Sequence, residues 1–438
     1  MARQFSGIRF SSPAVICSLL GCFLVFNLFF FTNPRHFLGE NPDKGNSNTH
    51  HPFLHEIELI QLPQESGTLT DEFLDESSRF RHIFFPDRTT TAIDPRKDDA
   101  EEEKMYYYPG RSWLDSDGNP IQAHGGGILY DEKSRTYFWY GEYKDAPTYH
   151  VPGRGTARVD IIGVGCYSSK DLWTWKNEGL VLSAEQNNIT HDLHRSKVLE
   201  RPKVVYNDKT GKYVMWMHID DGTYGKASQG IALSDSPTGP FRYLHSKNPH
   251  GSESRDITVF KDEDDKAYVI FSSAHNKELH ISPLSQDFLE VSDVMARALV
   301  GHYREAPALF KHKGKYFMVT SGCSGWAPNE ALVHVADSVL GPWETIGNPC
   351  VGGSKGFRVA TFFSQSTFVL PMPNSPPGWF IFMADRWKPD DLRDSRYVWL
   401  PLRVEEVEDD VMMRPRVSVF WHKRWRLPQK KTSENVVI

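Results

Sequence analysis

Three acidic residues occupy matching places before apolar segments of the chain. Glu200, Asp256 and Glu305 each precede an aromatic-rich segment, and they stand 56 and 49 residues apart. Each acid opens an apolar run that should enter a core, where loss of water raises the pKa of a carboxyl group. The alternative is a structural ion pair between each acid and the arginine beside it in sequence: Arg201, Arg255 or Arg304. Recurrence of the pattern in three successive repeats favours one shared site over three separate ion pairs.

Three converging carboxyl groups are suited to glycoside hydrolysis. In that chemistry a protonated carboxylic acid gives its proton to the leaving oxygen, and a second carboxylate raises the pKa of that acid. A third group holds the attacking water or the sugar hydroxyl groups. Because the carboxyl groups perform the proton transfers, the sequence predicts a site without a cofactor or a metal ion.

An internal repeat predicts the fold that would bring these acids together. Irregular repeats of about 50–75 residues, each forming one small sheet, are typical of β-propellers. The sequence therefore predicts an all-β, five-bladed β-propeller over residues 106–428, with a two-sheet sandwich as the alternative. The repeated unit is a polar turn followed by an aromatic-rich strand, found at residues 134–140, 211–217, 266–271, 314–319 and 378–382.

Composition excludes several other classes of protein. The 50 basic and 56 acidic residues give a formal charge of −6, whereas a nucleic-acid-binding protein normally presents a basic face. Apolar residues at 39% and charged residues at 24% exclude a disordered chain and a polytopic membrane protein. Aromatic residues reach 13%, which fits a core of large side chains and also the packing of sugar rings on aromatic faces.

The N-terminal region predicts attachment to a membrane. Residues 13–32 carry no charge and are long enough to cross a bilayer as one transmembrane helix. Arg3 and Arg9 precede this segment without an acidic residue, which favours a cytosolic N-terminus, whereas a cleaved signal peptide is the alternative. The expected order is a cytosolic tail (1–12), a signal anchor (13–32), a lumenal stem (33–105), the propeller (106–428) and a C-terminal tail (429–438).

A lumenal domain agrees with one predicted N-glycosylation site. Asn188 begins the sequon Asn188-Ile-Thr190, which directs glycosylation only in the secretory pathway. Outside the predicted anchor the chain has three cysteines, Cys166, Cys323 and Cys350, which allow one disulfide at most. Their wide spacing does not match a zinc site.

The segments around the acids resemble glycoside hydrolase family 43, whose members fold as five-bladed β-propellers. The resemblance covers residues 106–428. It implies that Glu305, in Arg304-Glu-Ala-Pro307, is the general acid and that Asp256 tunes the pKa of that acid. The family usually places its general base, an aspartate, before the first aromatic strand. Residues 121–129 contain no aspartate there and read Ile-Gln-Ala-His-Gly-Gly-Gly-Ile-Leu.

This departure is similar to the branch of the family that acts on β-1,3-galactan. Matching segments follow in order at residues 140–142, 200–202, 321–329 and 363–367. The resemblance implies an inverting exo-β-1,3-galactosidase that trims arabinogalactan glycans, and an anchored enzyme of this kind suits the Golgi lumen. The general base stays open between Gln365 and Glu200, either of which could position the water. The expected contacts with the sugar are Glu142, His124, Tyr224, Asn276, Trp326 and Asn329.

Two other functions remain open at this point. The same fold could cleave arabinofuranose or xylose, as most of the family does, although the missing aspartate counts against that substrate. A catalytically inert propeller that binds glycans would explain the missing aspartate, but it would not explain why Glu305 and Asp256 are both retained. The glycines at 125–127 predict close approach of the backbone and a sugar, with space in place of a nucleophile.

Overall fold

The computed structural model describes Phe73 and residues 81–97, 105–151, 156–408 and 413–429. The predicted cytosolic tail and anchor lie outside these residues. No helix in the described part of the chain is long and apolar enough to cross a membrane. Within this part, five mainly antiparallel sheets form the blades and confirm the all-β, five-bladed propeller; four blades have four strands and the last has five.

Blades 1 and 2 are built from consecutive strands, except that blade 1 carries an inserted hairpin. The insertion consists of β3 (Thr148–Val151) and β4 (Thr156–Val159), which pair with each other. The strands of blade 1 are β1 (His124–Asp131), β2 (Thr136–Glu142), β5 (Gly163–Ser169) and β6 (Lys176–Ser183). Those of blade 2 are β7 (Val198–Asn207), β8 (Lys212–Asp220), β9 (Ser228–Ser234) and β10 (Arg242–Lys247).

Blades 3 to 5 repeat this order, and the last sheet gains one parallel strand, β19, at its outer edge. Among the described residues, the short α-helices α1 (Arg81–Phe84) and α2 (Lys355–Val359) lie outside the sheets. Blade 3 contains β11 (Ile257–Lys261), β12 (Ala267–Ser273), β13 (Glu278–Pro283) and β14 (Ala296–Ala298). Blade 4 contains β15 (Arg304–His312), β16 (Lys315–Gly322), β17 (Leu332–Ala336) and β18 (Glu344–Gly347). Blade 5 contains β19 (Cys350–Val351), β20 (Gln365–Pro371), β21 (Trp379–Arg386), β22 (Arg396–Glu408) and β23 (Met413–Phe420).

The innermost strands form a closed ring around the propeller axis. Strands β1, β7, β11, β15 and β20 contact one another in this order, and β20 also contacts β1. The predicted aromatic strands are the second strands of the blades. They are buried on both faces because each blade packs between two neighbours, and β21 is buried along its whole length. This packing accounts for the nearly continuous apolar runs in the sequence.

An aromatic cluster joins the first and last blades. The rings of Tyr107 and Trp425 stack with centroids 4.4 Å apart, and their backbones exchange two hydrogen bonds. Trp113, Trp139 and Trp399 pack around this pair and are all buried. Much of the aromatic excess therefore closes the propeller, where it links the start and the end of the described fold.

The N-terminal segment contributes to the core of blade 5. Phe73 and Phe84 are almost fully buried, and both rings contact Phe363. The buried guanidinium of Arg386 donates a hydrogen bond to the carbonyl oxygen of Phe84 at 2.9 Å. The region 33–105, predicted as a solvated stem, thus contains residues that pack as part of the propeller, because paired aromatic side chains cover the apolar surface of blade 5.

We predict that Phe84→Ala lowers the free energy of unfolding by about 3–5 kcal/mol, the usual cost of emptying a buried aromatic site. The neighbouring variant Ile83→Ala is the matched control, because Ile83 is 36% exposed and should change stability by less than about 0.5 kcal/mol. Denaturant unfolding followed by tryptophan fluorescence measures both. Equal stability of the two variants would show that this segment does not support the fold.

Candidate active site

A β-bulge recurs in three of the innermost strands, next to residues predicted to form the site. The pairing register shifts after His124 in β1, after Glu200 in β7 and after Glu305 in β15. A bulge bends its strand locally and re-aims a side chain, which makes it common beside active sites. The residue that follows has a positive φ in each case, namely Gly125 (59°), Arg201 (53°) and Ala306 (53°).

The bulges open onto a cavity of about 390 Å³ where the innermost strands begin. This volume lies within the range of small-molecule sites. Each of the five blades contributes to its wall. Eight of the ten residues predicted to bind or cleave the substrate line it, namely Glu142, Glu200, Tyr224, Asp256, Asn276, Glu305, Trp326 and Gln365. The wall is completed by Arg201, His218, Arg255, Cys323, Gly325 and Trp387.

Glu305 is held as a protonated acid at neutral pH. Burial, together with the negative charge of Asp256, raises the pKa of Glu305 to about 8. Asp256 also accepts a hydrogen bond from the backbone N–H of Ala306 at 3.1 Å, which fixes the position of the neighbouring acid. The Nδ2 atom of Asn276 donates to Glu305 Oε2 at 3.0 Å. Glu305 therefore has the protonation state and the restraint that a general acid requires.

Arg201 connects the acids across the blades. Its Nε lies 3.0 Å from Asp256 Oδ1 in blade 3, so the arginine pairs with the acid of the next blade and not with its sequence neighbour Glu200. Its guanidinium also donates to Gln365 Oε1 at 2.6 Å in blade 5. Its backbone N–H donates to Glu142 Oε1 at 2.9 Å in blade 1. One buried arginine thus positions side chains from three other blades.

Glu200 has the opposite electrostatic environment from Glu305. Burial alone would raise the pKa of Glu200, but the hydrogen bond and positive charge of His218 lower it to about 2. His218 Nδ1 lies 3.1 Å from Glu200 Oε2, and its Nε2 lies 3.0 Å from Asp220 Oδ2. Tyr224 donates its hydroxyl to Glu200 Oε1 at 2.8 Å. The cavity therefore contains an ionised carboxylate as well as a protonated acid.

Glu142 is paired with a buried lysine. Lys144 Nζ lies 2.6 Å from Glu142 Oε2, and both side chains are more than nine-tenths buried. Burial raises the pKa of Glu142, and the nearby charge of Glu200 acts in the same direction, whereas Lys144 opposes it. Glu142 is thus a second acceptor on the wall contributed by blades 1 and 2.

The side-chain amide of Gln365 is fully hydrogen-bonded. Its Oε1 accepts from Arg201 at 2.6 Å and from the indole N–H of Trp387 at 2.9 Å. Because both partners can only donate, Nε2 must point the other way, where it donates to Glu305 at 3.2 Å and to Ser321 at 3.0 Å. In this arrangement Gln365 positions Glu305, and its oxygen has no place left for a water. This differs from the expectation that Gln365 holds the attacking water.

Two tryptophans form an apolar wall. The rings of Trp326 and Trp387 meet edge to face with centroids 5.2 Å apart. Cys323 lies on the same rim and donates its Sγ–H to the carbonyl oxygen of Tyr303 at 3.2 Å. The three cysteines of the propeller, Cys166, Cys323 and Cys350, are all free. The wall offers both an apolar face and hydrogen-bonding groups, as a sugar ring requires.

Two of the predicted sugar contacts do not line the main cavity. His124 is fully buried, and its ring stacks on Tyr397 with centroids 5.0 Å apart. Asn329 hydrogen-bonds to both the N–H and the C=O of Gly322, so it shapes the loop that carries Trp326. The structure therefore assigns both residues to support of the site.

Gly125, Gly126 and Gly127 allow close packing inside the propeller and do not form a surface for the sugar. A Cβ at Gly125 would lie 2.2 Å from Glu142 Oε1, and one at Gly126 would lie 1.8 Å from the carbonyl oxygen of Tyr140. The expected close approach of the backbone is present, but it is made to protein groups: strand β2 fills the space beside Gly125 and Gly126, and Lys203 and Phe368 fill the space beside Gly127. Asn188 lies on an exposed turn away from the cavity, where its sequon stays a predicted glycosylation site.

Sequence reasoning missed the second-strand partners of the acids. Glu200 pairs across the ladder with His218, and Glu305 pairs with Ser321. Gln365 pairs in the same way with Asp385, a buried acid that accepts the backbone N–H of Gly125. The sequence does contain a pattern that marks this position of the second strand. Glu142, His218 and Ser321 each stand five residues after the first aromatic residue of the repeated strand.

A cavity that holds a protonated glutamic acid beside a second carboxyl group has the groups that glycoside hydrolysis uses. A family model described as glycosyl hydrolases family 43 matches residues 155–354. A solved GH43 β-1,3-galactosidase with galactodeoxynojirimycin is 38% identical, with a TM-score of 0.64, over 73% of this chain and 100% of that chain. The chain belongs to glycoside hydrolase family 43.

Two further relatives differ in the substrate that their names state. An exo-β-1,3-galactanase from Phanerochaete chrysosporium, solved with β-1,3-galactotriose, is 33% identical, with a TM-score of 0.63, over 74% of this chain and 69% of that chain. A non-reducing end α-L-arabinofuranosidase from Bacteroides ovatus is 27% identical over 202 residues. That match covers 42% of this chain and 34% of the relative, so the chain spans about a third of the length of that curated relative.

We predict that Asp256→Asn moves the basic limb of the pH–rate profile to lower pH. Activity is lost as pH rises through the pKa of Glu305, about 8 in the wild type. The substitution removes a nearby negative charge and leaves the charge of Arg201 uncompensated, and both changes favour ionised Glu305.

The matched control is Asp262→Asn, at the other end of the same blade, where Asp262 binds Lys311 and does not line the active-site cavity. The Asp262→Asn variant should leave the basic limb of the pH–rate profile at its wild-type pH. An unmoved limb in an active, folded Asp256→Asn variant would show that Asp256 does not tune Glu305.

Proposed function

We propose that this glycoside hydrolase removes terminal galactose from β-1,3-galactan chains of arabinogalactan proteins with inversion of configuration. The observation that carries the proposal is the pairing of protonated Glu305 with Asp256 in a cavity to which each blade contributes. The choice of galactan rests on the similarity to the β-1,3-galactosidase and the exo-β-1,3-galactanase, which cover most of the propeller.

In the proposed reaction Glu305 gives its proton to the glycosidic oxygen as the bond to the anomeric carbon breaks. Water attacks that carbon from the opposite face and gives its proton to Glu142, the cavity carboxylate whose pKa burial raises, so a β-linkage yields α-galactose. Since Gln365 is occupied by Arg201, Trp387 and Glu305, the carboxylates of Glu142 and Glu200 remain as acceptors for the water and the sugar hydroxyl groups. We expect the apolar wall of Trp326 to contact a face of the galactose ring.

We predict that the purified protein releases galactose from a β-1,3-galactooligosaccharide and that the first-formed anomer is α. Proton NMR of the anomeric signals during early hydrolysis reads the product and its configuration together. Glu305→Gln should lose at least about a hundredfold in rate, because it removes the proton donor without changing the shape of the side chain. The matched control, Glu344→Gln, alters an exposed glutamate on the outer strand of the same blade and should retain activity.

The same experiment distinguishes two alternative functions and an alternative stereochemical course. Release of arabinose from arabinan in place of galactose would favour the function named for the arabinofuranosidase relative. Binding of galactooligosaccharide without product would favour an inert glycan-binding propeller. First-formed β-galactose would indicate retention and a carboxylate nucleophile, for which Glu142 and Glu200 are the candidates in the cavity.

The proposed location is the Golgi membrane, with residues 13–32 as a type II anchor and the propeller in the lumen. The apolar segment with its preceding arginines supports the orientation, and the exposure of Asn188 makes its sequon accessible. Endoglycosidase treatment of the cellular protein should increase its mobility, and Asn188→Gln should abolish this change. Unchanged mobility of the wild-type protein would argue against glycosylation and a lumenal propeller.

A further inference from the structure

A buried chain of alternating charges stands behind one wall of the cavity. It runs from Glu200 through His218 to Asp220, with both ring nitrogens of His218 within 3.1 Å of a carboxylate oxygen. His218 is 2% exposed and Asp220 1% exposed, so neither interaction is replaced by water. An ionised carboxylate can only accept, and therefore each ring nitrogen must donate. With two ionised carboxylates as its partners, His218 donates from both ring nitrogens and is an imidazolium.

Asp220 is fixed independently of His218. Its Oδ1 accepts the backbone N–H groups of Asp221, Lys226 and Ala227, at distances from 2.7 to 3.0 Å. With Oδ1 occupied by the following turn, Oδ2 remains for the imidazolium. The turn that follows Asp220 therefore fixes the plane of the His218 ring, and the ring in turn fixes the position of Glu200.

Glu200, at the other end of this chain of charges, faces the cavity. Glu200 uses one acceptor site for His218 and one for the hydroxyl of Tyr224. A carboxylate has about four acceptor sites, so roughly two remain. Glu200 lines the cavity and its side chain is 16% exposed, which leaves these sites open to a hydroxyl group.

We propose that His218, held by Asp220, is a positioning residue that keeps Glu200 an acceptor-only carboxylate, so that Glu200 binds an O–H donor in the cavity and does not take its proton. The donor is a hydroxyl group of the terminal sugar or the attacking water. The inference rests on the proposed function and deepens it, because it divides the work between two glutamates. Glu305 supplies a proton, and Glu200 supplies a fixed negative charge.

The charged surroundings agree with this division. Burial alone would lower the pKa of His218, but its hydrogen bonds to Asp220 and Glu200 and their charges raise it to about 9. The other charged or titratable groups that act on this chain of charges are Glu142, Lys144, Tyr224, Arg255 and Glu305. Lys144 favours ionised Glu200, whereas Glu142 and Glu305 disfavour it when they are charged. His218 is the cation in direct contact and so is the group to remove.

We predict that His218→Gln brings a new acid limb into the pH profile of kcat/KM. The pKa of Glu200, about 2 in the wild type, rises toward or above its ordinary 4.5 when the imidazolium is lost. With a pKa of 4.5, nearly all of Glu200 is ionised at pH 6 but only about a quarter at pH 4, so the variant should lose about fourfold or more between these pH values. The wild type should lose less than about twofold through this group.

The matched control is His280→Gln, because His280 is also buried and bonded to a glutamate, Glu278, at 2.7 Å. It does not line the cavity and should keep the wild-type profile. Binding of galactose by calorimetry at the same pH values then identifies the donor. Affinity that falls with the new limb indicates a sugar hydroxyl, whereas a fall in kcat alone indicates the water. A profile of His218→Gln that matches the control would overturn the proposal.

A second measurement requires neither a variant nor a substrate. Nitrogen-15 NMR of the wild-type protein should show both side-chain N–H groups of His218 protonated at pH 7 and losing a proton only near pH 9. A neutral His218 at pH 7 would overturn the proposal whatever the substrate is. Failure to cleave galactan, with an imidazolium still present, would instead contradict the proposed function alone.

Discussion

The site depends on one buried cation at the centre of the propeller. Arg201 reaches Asp256 in blade 3, Gln365 and the carbonyl oxygen of Ser366 in blade 5, and Glu142 in blade 1 through its backbone N–H. A buried guanidinium costs several kcal/mol unless it is paired and hydrogen-bonded, so loss of Asp256 would leave its charge uncompensated and loss of Gln365 or Ser366 would leave N–H donors without an acceptor. The positive φ of Arg201, 53°, is a strained conformation that the surrounding contacts maintain.

Around this cation, the cavity gives two glutamates, Glu305 and Glu200, opposite protonation states. Glu305 lies beside the negative charge of Asp256 and has a raised pKa, whereas Glu200 lies against an imidazolium and has a lowered one. Environments that push the pKa values of two carboxyl groups apart are the usual basis for assigning acid and acceptor roles. Gln365 restrains Glu305, since Arg201 fixes the oxygen of Gln365 and its amide nitrogen then faces Glu305.

The sequence predicted those features of the structure that recur in each repeat of the chain. The aromatic strands predicted five blades, and acids at equal places in the repeats predicted a common cavity, which Glu200, Asp256 and Glu305 do line. Contacts between blades were not predictable, because a period does not show which residues meet across the axis. Arg201 therefore looked like a local partner of Glu200, His124 looked like a sugar contact, and the packing of Phe84 on blade 5 was hidden in an apparent stem.

Catalysis by Glu305 requires that the folded protein keep this residue protonated at neutral pH. Difference infrared spectroscopy tests this directly, since a protonated carboxyl group has its own C=O stretching band and Glu305→Gln identifies the contribution of Glu305. We expect a band that persists at pH 7 and disappears as pH rises through about 8. A band already lost well below pH 7 would show an ordinary ionised glutamate, which could not act as the proton donor at neutral pH.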